Sequence, residues 1–202
     1  MILLLIPIIA SSDTTENLII NGTFESGNSN GWTTSGDVQV LNDCCGSNYD
    51  LEFGDSGSIE QTFNLTSDEI TTQMLDNGIT LNSSVQVQNG ECQLQGCWGG
   101  QGGADSFRID LSILDENSQV LATVSQIRYD ITDINGKYFE DTVSYTGTGS
   151  YFGNIFIKSE DANAPATLGS ANVDNISVTM DYSPIVLSLE QKSEINTAVE
   201  KV

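Results

Sequence analysis

Four cysteines are the first candidates for chemistry in this sequence of 202 residues. Cys44 and Cys45 are adjacent, whereas Cys92 and Cys97 flank a short loop of Gln, Leu and Gly. An even number of cysteines in a loop-rich, lysine-poor chain is typical of disulfides formed in an oxidising compartment. Because a bond between adjacent cysteines is strained, we expect either that Cys44 and Cys45 each bond one member of the second pair, or that Cys92 bonds Cys97. A zinc site is less favoured, since neither pair has the Cys-x2-Cys spacing of zinc ligands.

The second group of candidate residues begins in a long glycine-rich loop, which contains Trp98 and Gln101. Sugar recognition needs an aromatic face flanked by hydrogen-bonding side chains. Trp98, Gln101, Tyr138 and Tyr151 are therefore our candidates for a glycan-binding site. The alternative for Trp98 is that it packs over a disulfide or a local core, and we expect Trp32 to belong to the main core.

Charge and the absence of one residue type exclude several functions. The chain has 28 acidic and 6 basic residues, a formal net charge of -22, and no histidine. Such a charge argues against nucleic acid and anionic membranes as partners, and bound divalent cations or salt would relieve its self-repulsion. Without histidine the chain has no Ser-His-Asp or Cys-His arrangement and no His-containing zinc site. Two carboxylates could still lie at the separation found in glycosidases, but no compact acidic motif supports this, and we expect a protein that is not an enzyme.

Short stretches in which apolar residues recur at every second position predict an all-β protein. Turn signals separate these stretches at intervals of 8 to 12 residues, as is typical of a β-sandwich. One segment, 67–77, instead has helical spacing between a polar cap and the terminating pair Asn77-Gly78. The predicted strands are 18–20, 37–41, 49–53, 58–65, 79–88, 105–114, 119–129, 139–145, 154–158 and 172–180.

The two ends of the chain differ from this domain, which we place at 17–181. Residues 1–16 begin with an apolar run that is too short to span a bilayer. This run is either an uncleaved signal-like segment or an N-terminal arm that docks on a neighbouring subunit. Residues 182–202 have apolar residues along one side of a predicted C-terminal helix, which would cap the sandwich or join copies of itself in a bundle.

Three stretches of sequence resemble the first and last strands of galactose-binding-like jelly-roll domains, in particular the carbohydrate-binding modules attached to xylanases. These stretches are Asn17-Leu18-Ile19-Ile20-Asn21-Gly22-Thr23-Phe24-Glu25, Gly31-Trp32, and Val173-Asp174-Asn175-Ile176-Ser177-Val178. The resemblance implies a jelly-roll β-sandwich whose first and last strands pair.

The same resemblance implies a structural calcium ion held by Glu25 and Asp174, with backbone carbonyls completing the oxygen shell. The chain has Asp174-Asn175 where the family often has two acids, which lowers the number of charged ligands. The alternative is that Glu25 is an exposed turn residue and that Asp174 solvates an edge strand.

A further resemblance connects the chain with virion surface and tail proteins of marine bacteriophages. The residues that carry it are Gly31, Asp37, Cys44, Cys45 and Ser47. Together with the two unusual ends, it implies a non-catalytic structural or adhesive protein on a bacteriophage capsid or tail surface, or in another extracellular assembly. Its partners would be copies of itself or other subunits. The alternative is a secreted carbohydrate-binding module that recognises a cell-surface glycan through its loop aromatics.

Overall fold

Strands form wherever apolar residues alternate with polar ones. The structure is a computed structural model that describes residues 12–42, 49–89, 106–128, 137–160 and 171–184. Within these residues it contains nine strands and one short helix. In chain order they are β1 (Asp13–Thr14), β2 (Thr33–Asn42), β3 (Tyr49–Asn64), α1 (Thr72–Leu75), β4 (Ile79–Asn89), β5 (Ser106–Leu114), β6 (Val120–Arg128), β7 (Lys137–Tyr145), β8 (Phe152–Glu160) and β9 (Ala171–Tyr182).

The strands form an all-β sandwich around one core, as predicted. Their hydrogen-bonded order is β6-β5-β8-β3-β9-β4-β7, with β2 paired to β3 and β1 paired to β9. Alternate apolar residues of the central strands are buried in the core, as Ile109, Leu111 and Ile113 are in β5. Of the segment 1–16 that we predicted as an N-terminal arm, residues 12–16 are described, and Asp13 and Thr14 pair with β9. Residues 1–11 and the predicted C-terminal helix from 185 onward lie outside the described residues.

Strand β3 is shared by both layers of the sandwich. Residues from Ser56 to Asn64 pair with β8, whereas Leu51 and Glu52 pair with β9. The sequence analysis predicted two strands here, 49–53 and 58–65, because Gly54 and Gly57 break the alternation between them. Since β2 pairs with β3 on both sides of this interruption, the structure has one continuous strand instead.

One sequence prediction near the N-terminus is wrong, whereas the helical segment forms. Residues 18–20 are not a strand, because the backbone N–H and C=O of Ile20 both bond to the side-chain amide of Gln61, at 2.8 and 2.9 Å. Within the helical segment predicted at 67–77 the structure has one helical turn, α1. The segment before it forms a separate turn, in which the Ser67 hydroxyl accepts hydrogen bonds from the N–H groups of Glu69 and Ile70.

The outer edges of the sandwich are joined by an ion pair between β6 and β7. One Nη of Arg128 lies 3.0 Å from Oδ1 and 3.1 Å from Oδ2 of Asp141. The Arg128 guanidinium also lies 4.8 Å from the centre of the Phe139 ring. The pair is largely buried, so it fixes the approach of two strands that share no backbone hydrogen bonds.

We expect Gly57→Ala to destabilise the fold by about 1–3 kcal/mol, because the new methyl group would overpack a closed site. An added Cβ would lie 2.6 Å from the backbone oxygen of Asp37 and 2.8 Å from Cγ2 of Val38. Urea unfolding measures the loss, and Ser56→Ala, at an exposed neighbouring position, serves as the control. Equal unfolding midpoints for the two variants would contradict the prediction.

Candidate functional site

Four chain connections leave the sandwich at the same end. The strand ends that flank these connections are paired with one another: Asn42 with Tyr49, Asn89 with Ala171, Ser106 with Glu160, Val87 with Lys137, and Phe107 with Arg128. Six predicted site residues fall on two of these connections and lie outside the described residues: Cys44, Cys45, Cys92, Cys97, Trp98 and Gln101. The disulfides and the roles of Trp98 and Gln101 therefore stay predictions.

A turn at 21–31 positions Glu25 at this end. Asn21 and Phe24 both have a φ of 53°, and the Asn21 side chain donates to the backbone oxygens of Asn28 and Asn30. Phe24 is fully buried, with its ring centre 6.0 Å from that of Trp32. The hydrogen bonds of Asn21 and the burial of Phe24 together fix the turn. Oε1 of Glu25 accepts a hydrogen bond from the N–H of Tyr49 at 3.3 Å.

Asp174 lies on β9 beside several other oxygen-bearing side chains. Asn172, two residues earlier on the strand, donates to Oδ2 of Asp50 on β3 at 3.0 Å. Oδ1 of Asp174 and Oδ1 of Asn172 are both buried, and neither has a hydrogen-bond partner among the described residues. Unpartnered buried oxygens are costly, and they are the kind of atom that a hard cation binds.

The charge of Glu25 acts on the carboxyl group of Asp174. Burial raises the pKa of Asp174 to about 6, against the lowering effect of a backbone hydrogen bond at Asn175, and the negative charges of Asp50 and Glu25 raise it further. The first and last segments of the domain do meet, since the N–H of Ile176 donates to the backbone oxygen of Gly22. Across the described ranges, however, no group of three His, Cys, Asp or Glu side chains is arranged to hold a metal ion.

A chain of hydrogen bonds runs from this carboxylate to an exposed tyrosine. The Tyr138 hydroxyl donates to Oε1 of Gln86 at 3.2 Å, and Nδ2 of Asn175 donates to the same oxygen at 2.7 Å. Nδ2 of Asn175 also lies 3.0 Å from Oδ2 of Asp174. Tyr138 is 54% exposed, so part of its side chain is accessible to a ligand beside these amide groups.

Tyr151 lies at the opposite end of the sandwich from Tyr138. Tyr138 is near the start of β7, whereas Tyr151 follows the turn after that strand. Tyr151 lines a cavity of about 390 Å³ together with Asp76, Asp115 and Glu116. The structure therefore does not bring the two predicted glycan-binding tyrosines together, and each would serve a separate site.

Sequence reasoning missed four of the residues around these groups: Asp50, Gln86, Asn172 and Asn175. Each occupies a polar position in a strand that the alternation of residues predicts. The alternation predicts the strand, but it does not predict which residue of another strand this side chain contacts. The pairing of Gln86 with both Tyr138 and Asp174 is a property of sheet register.

Among the described residues, no helix has the length and hydrophobicity that a membrane span requires.

Comparison with solved structures finds similar folds at low sequence identity. The enzymatically active domain of tailspike protein 4 of bacteriophage CBA120 matches with a TM-score of 0.51 and 14% identity, over 80% of this chain and 21% of that one. A family 61 carbohydrate-binding module solved with β-1,4-galactotriose has a TM-score of 0.48 and 17% identity, over 81% of this chain and 98% of that one. A xylan-binding module of Paenibacillus barcinonensis has a TM-score of 0.42 and 14% identity, over 82% and 94% of the two chains.

Carbohydrate-binding modules and a phage protein, the two kinds of protein that the sequence resembles, are thus among the matches. The tailspike domain has the TM-score above 0.5 among these three, and at 14% identity it shows a similar fold and no more. The chain spans about a fifth of the tailspike chain, 21% of its length. No family model and no curated protein matches the sequence.

In the absence of divalent cations, we expect Asp174→Asn to stabilise the protein at pH 7. The pKa of Asp174 is raised in the folded state, from 3.8 to about 6, so its contribution to stability is present below about pH 4 and is lost as the pH rises through 6. Because asparagine does not titrate, the substitution removes this loss of stability. We expect the gain in the free energy of unfolding at pH 7 to be roughly 1 kcal/mol after solvent screening.

Urea unfolding in EDTA from pH 4 to pH 8 measures this difference between the variant and the wild type. Asp68→Asn, at an exposed carboxylate, is the matched control and should leave the profile unchanged. A difference between Asp174→Asn and wild type that does not vary with pH would contradict the assignment to titration of Asp174.

Proposed function

We propose that this protein is a non-catalytic carbohydrate-binding β-sandwich of the jelly-roll type that acts outside the cell or on a virion surface. The observation that carries the proposal is the exposed ring of Tyr138, fixed beside amide side chains on the outer face of β7, β4 and β9. Support for a glycan as the ligand comes from the resemblance of 17–25 and 173–178 to carbohydrate-binding modules.

The chemistry around Tyr138 suits a sugar ring. The apolar face of a pyranose packs on an aromatic ring, while its hydroxyl groups need fixed donors and acceptors around the edge. Gln86 and Asn175 offer both, because their bonds to each other and to Tyr138 use only Oε1 of Gln86 and Nδ2 of Asn175. The other amide atoms, Nε2 of Gln86 and Oδ1 of Asn175, have no partner within the described part of the chain.

Further hydrogen-bonding side chains continue along the same face away from Tyr138. Thr142 donates to Asn82 at 3.0 Å, and Asn82 donates to Asp181 at 2.9 Å. Thr80 and Ser144 form the next cross-strand pair, with their hydroxyl oxygens 2.9 Å apart. Such an extended polar face favours an oligosaccharide over a single sugar. The net charge of -22 favours a glycan without acidic groups.

A structural role on a virion is the second candidate function, and the fold shared with a phage tailspike favours it. The resemblance of 31–47 to marine phage surface and tail proteins points the same way. In that role the partners would be copies of this chain or other subunits of the particle. Binding to a cell-surface glycan would be compatible with it, since both functions place the domain outside the cell.

We expect Tyr138→Ala to weaken binding of a neutral glycan by about tenfold, because aromatic packing contributes about 1 kcal/mol beyond the area it buries. Binding is measured by affinity electrophoresis and titration calorimetry with β-1,4-galactan, xylan and other neutral polysaccharides. Tyr138→Phe should retain most of the affinity, since it keeps the ring.

Val120→Ala, at a position 59% exposed on β6, controls for the loss of an exposed apolar side chain. If a glycan binds equally well to wild type and to Tyr138→Ala, the site lies elsewhere. Loss of binding in Trp98→Ala alone would move it to the glycine-rich loop. If the full panel shows no binding, the proposed function is wrong.

We further propose that Glu25 and Asp174 hold a structural calcium ion. The donor set fits calcium: two carboxylates, the unpartnered buried oxygens of Asp174 and Asn172, and backbone carbonyls are all hard oxygen ligands. With no third acidic ligand arranged among the described residues, the amide and carbonyl oxygens would complete the shell. The ion would neutralise the buried carboxylate whose pKa is raised and would fix the 21–31 turn against β9.

Calcium should therefore raise the unfolding temperature of the wild type but not of Glu25→Gln or Asp174→Asn. Binding to the folded state alone stabilises by about 2.7 kcal/mol at a hundredfold excess over the dissociation constant. Thermal unfolding with calcium, with magnesium and with sodium chloride of equal ionic strength separates specific binding from screening of the net charge. An equal shift in wild type and both variants would mean screening only.

A further inference from the structure

We propose a second binding site, at the end of the sandwich opposite Tyr138, that takes a sugar bearing a protonated amine. The site is the cavity of about 390 Å³ lined by the end of α1, the β5–β6 turn and the β7–β8 turn. Its volume falls within the range of small-molecule pockets. This second site rests on the proposed function in one respect, the premise that the domain binds carbohydrate.

Two turns fix the cavity wall through their own hydrogen bonds. Oδ1 of Asp76, at the end of α1, accepts from the N–H of Gly149 at 3.2 Å and so ties the helix to the β7–β8 turn. Oδ1 of Asp115 accepts from the N–H groups of Asn117 and Gln119, both at 2.8 Å, and closes the β5–β6 turn. In each case one carboxylate oxygen holds the wall and the other, Oδ2, remains available to a ligand.

The lining combines an apolar surface with hydroxyl groups. Tyr151 and Leu121 provide the apolar part, and Thr72 and Thr148 provide hydroxyls. The Tyr151 hydroxyl makes no hydrogen bond to the described residues, so it too can bind a ligand. A sugar ring matches this combination, because one of its faces is apolar and its edge carries hydroxyl groups.

The charge of the lining selects among sugars. The three carboxylates of Asp76, Asp115 and Glu116 surround the cavity, no lysine or arginine lines it, and none of the three forms an ion pair with a described residue. An acidic sugar would be repelled, whereas an ammonium group would gain charge-assisted hydrogen bonds.

A bare metal ion fits this cavity less well than an extended ligand. Within the described ranges, no three acidic side chains converge closely enough to hold a metal, and this includes the three that line the cavity. Carboxylates spaced around a cavity can instead each bond a different group of one larger molecule. An amino sugar offers an ammonium group and several hydroxyl groups at such a spacing.

Titration calorimetry of the full chain at 0.15 M salt tests the proposal with three ligands: glucosamine oligomers, the matching N-acetylglucosamine oligomers and spermidine. We expect the glucosamine oligomers to bind most tightly, and we expect Glu116→Gln and Tyr151→Leu each to weaken that binding by about fivefold. Glu16→Gln, which removes an exposed charge outside both proposed sites, is the matched control and should bind as wild type does.

Three outcomes would overturn the proposal. Equal binding of the acetylated oligomers would mean that the amine is not recognised, and equal binding of spermidine would mean that the sugar is not. Equal weakening by Glu16→Gln and Glu116→Gln would mean that glucosamine oligomers respond only to the overall negative charge.

Tyr138→Ala separates this proposal from the proposed function. If the cavity is the amino-sugar site, this variant binds glucosamine oligomers as wild type does, whatever happens to its binding of neutral glycans. If Tyr138→Ala alone abolishes glucosamine binding, the ligand occupies the Tyr138 face and the cavity is not a site. Circular dichroism of each variant confirms that it is folded.

Discussion

The sandwich depends on β3 running without a break through both of its layers. The strand pairs with β8 along one half and with β9 along the other, while β2 follows it along both halves. The crossing is possible because Gly36 and Gly57 face each other where the register of β2 and β3 shifts, and backbone atoms fill the space that side chains would need there. A strand shared in this way fixes the two layers relative to each other, so the positions of both candidate sites follow from it.

Side chains complete the fold where backbone pairing stops. Gln61 is buried on β3 and bonds both backbone groups of Ile20, which replaces one rung of a strand ladder. Arg128 and Asp141 join the outer edges of β6 and β7 in the same manner. A buried amide or ion pair is costly unless every partner is present, so these contacts favour one arrangement of the sandwich over alternatives.

The two ends of the sandwich differ in chemistry. At one end, a partly buried carboxylate with a raised pKa lies beside unpartnered oxygens and is linked through Gln86 to an exposed aromatic ring. At the other end, carboxylates that form no ion pair with a described residue line an open cavity. The first arrangement suits a bound cation next to a flat polar face, and the second suits a small ligand that enters between turns.

The sequence by itself determined the strands, because alternation of apolar and polar residues is a local property and burial of one face follows directly from it. The absence of histidine and the large negative charge likewise excluded whole classes of chemistry without any structure. The stretch 17–25 was recognised by its residues, and its contact with β9 was implied correctly, although 18–20 is held by Asn17 and Gln61 side chains rather than as a strand.

Only the tertiary structure decided which polar residues meet. Asp50 on β3 lies more than a hundred residues before Asn172 and Asp174 on β9, yet these side chains are neighbours. Gln86 joins Tyr138 to Asn175 through the register of three strands. Tyr138 and Tyr151 are only 13 positions apart in the sequence, yet an intervening strand carries them to opposite ends of the molecule. Register and strand order arise from long-range pairing, in which every contact depends on the others, so no local pattern in the sequence specifies them.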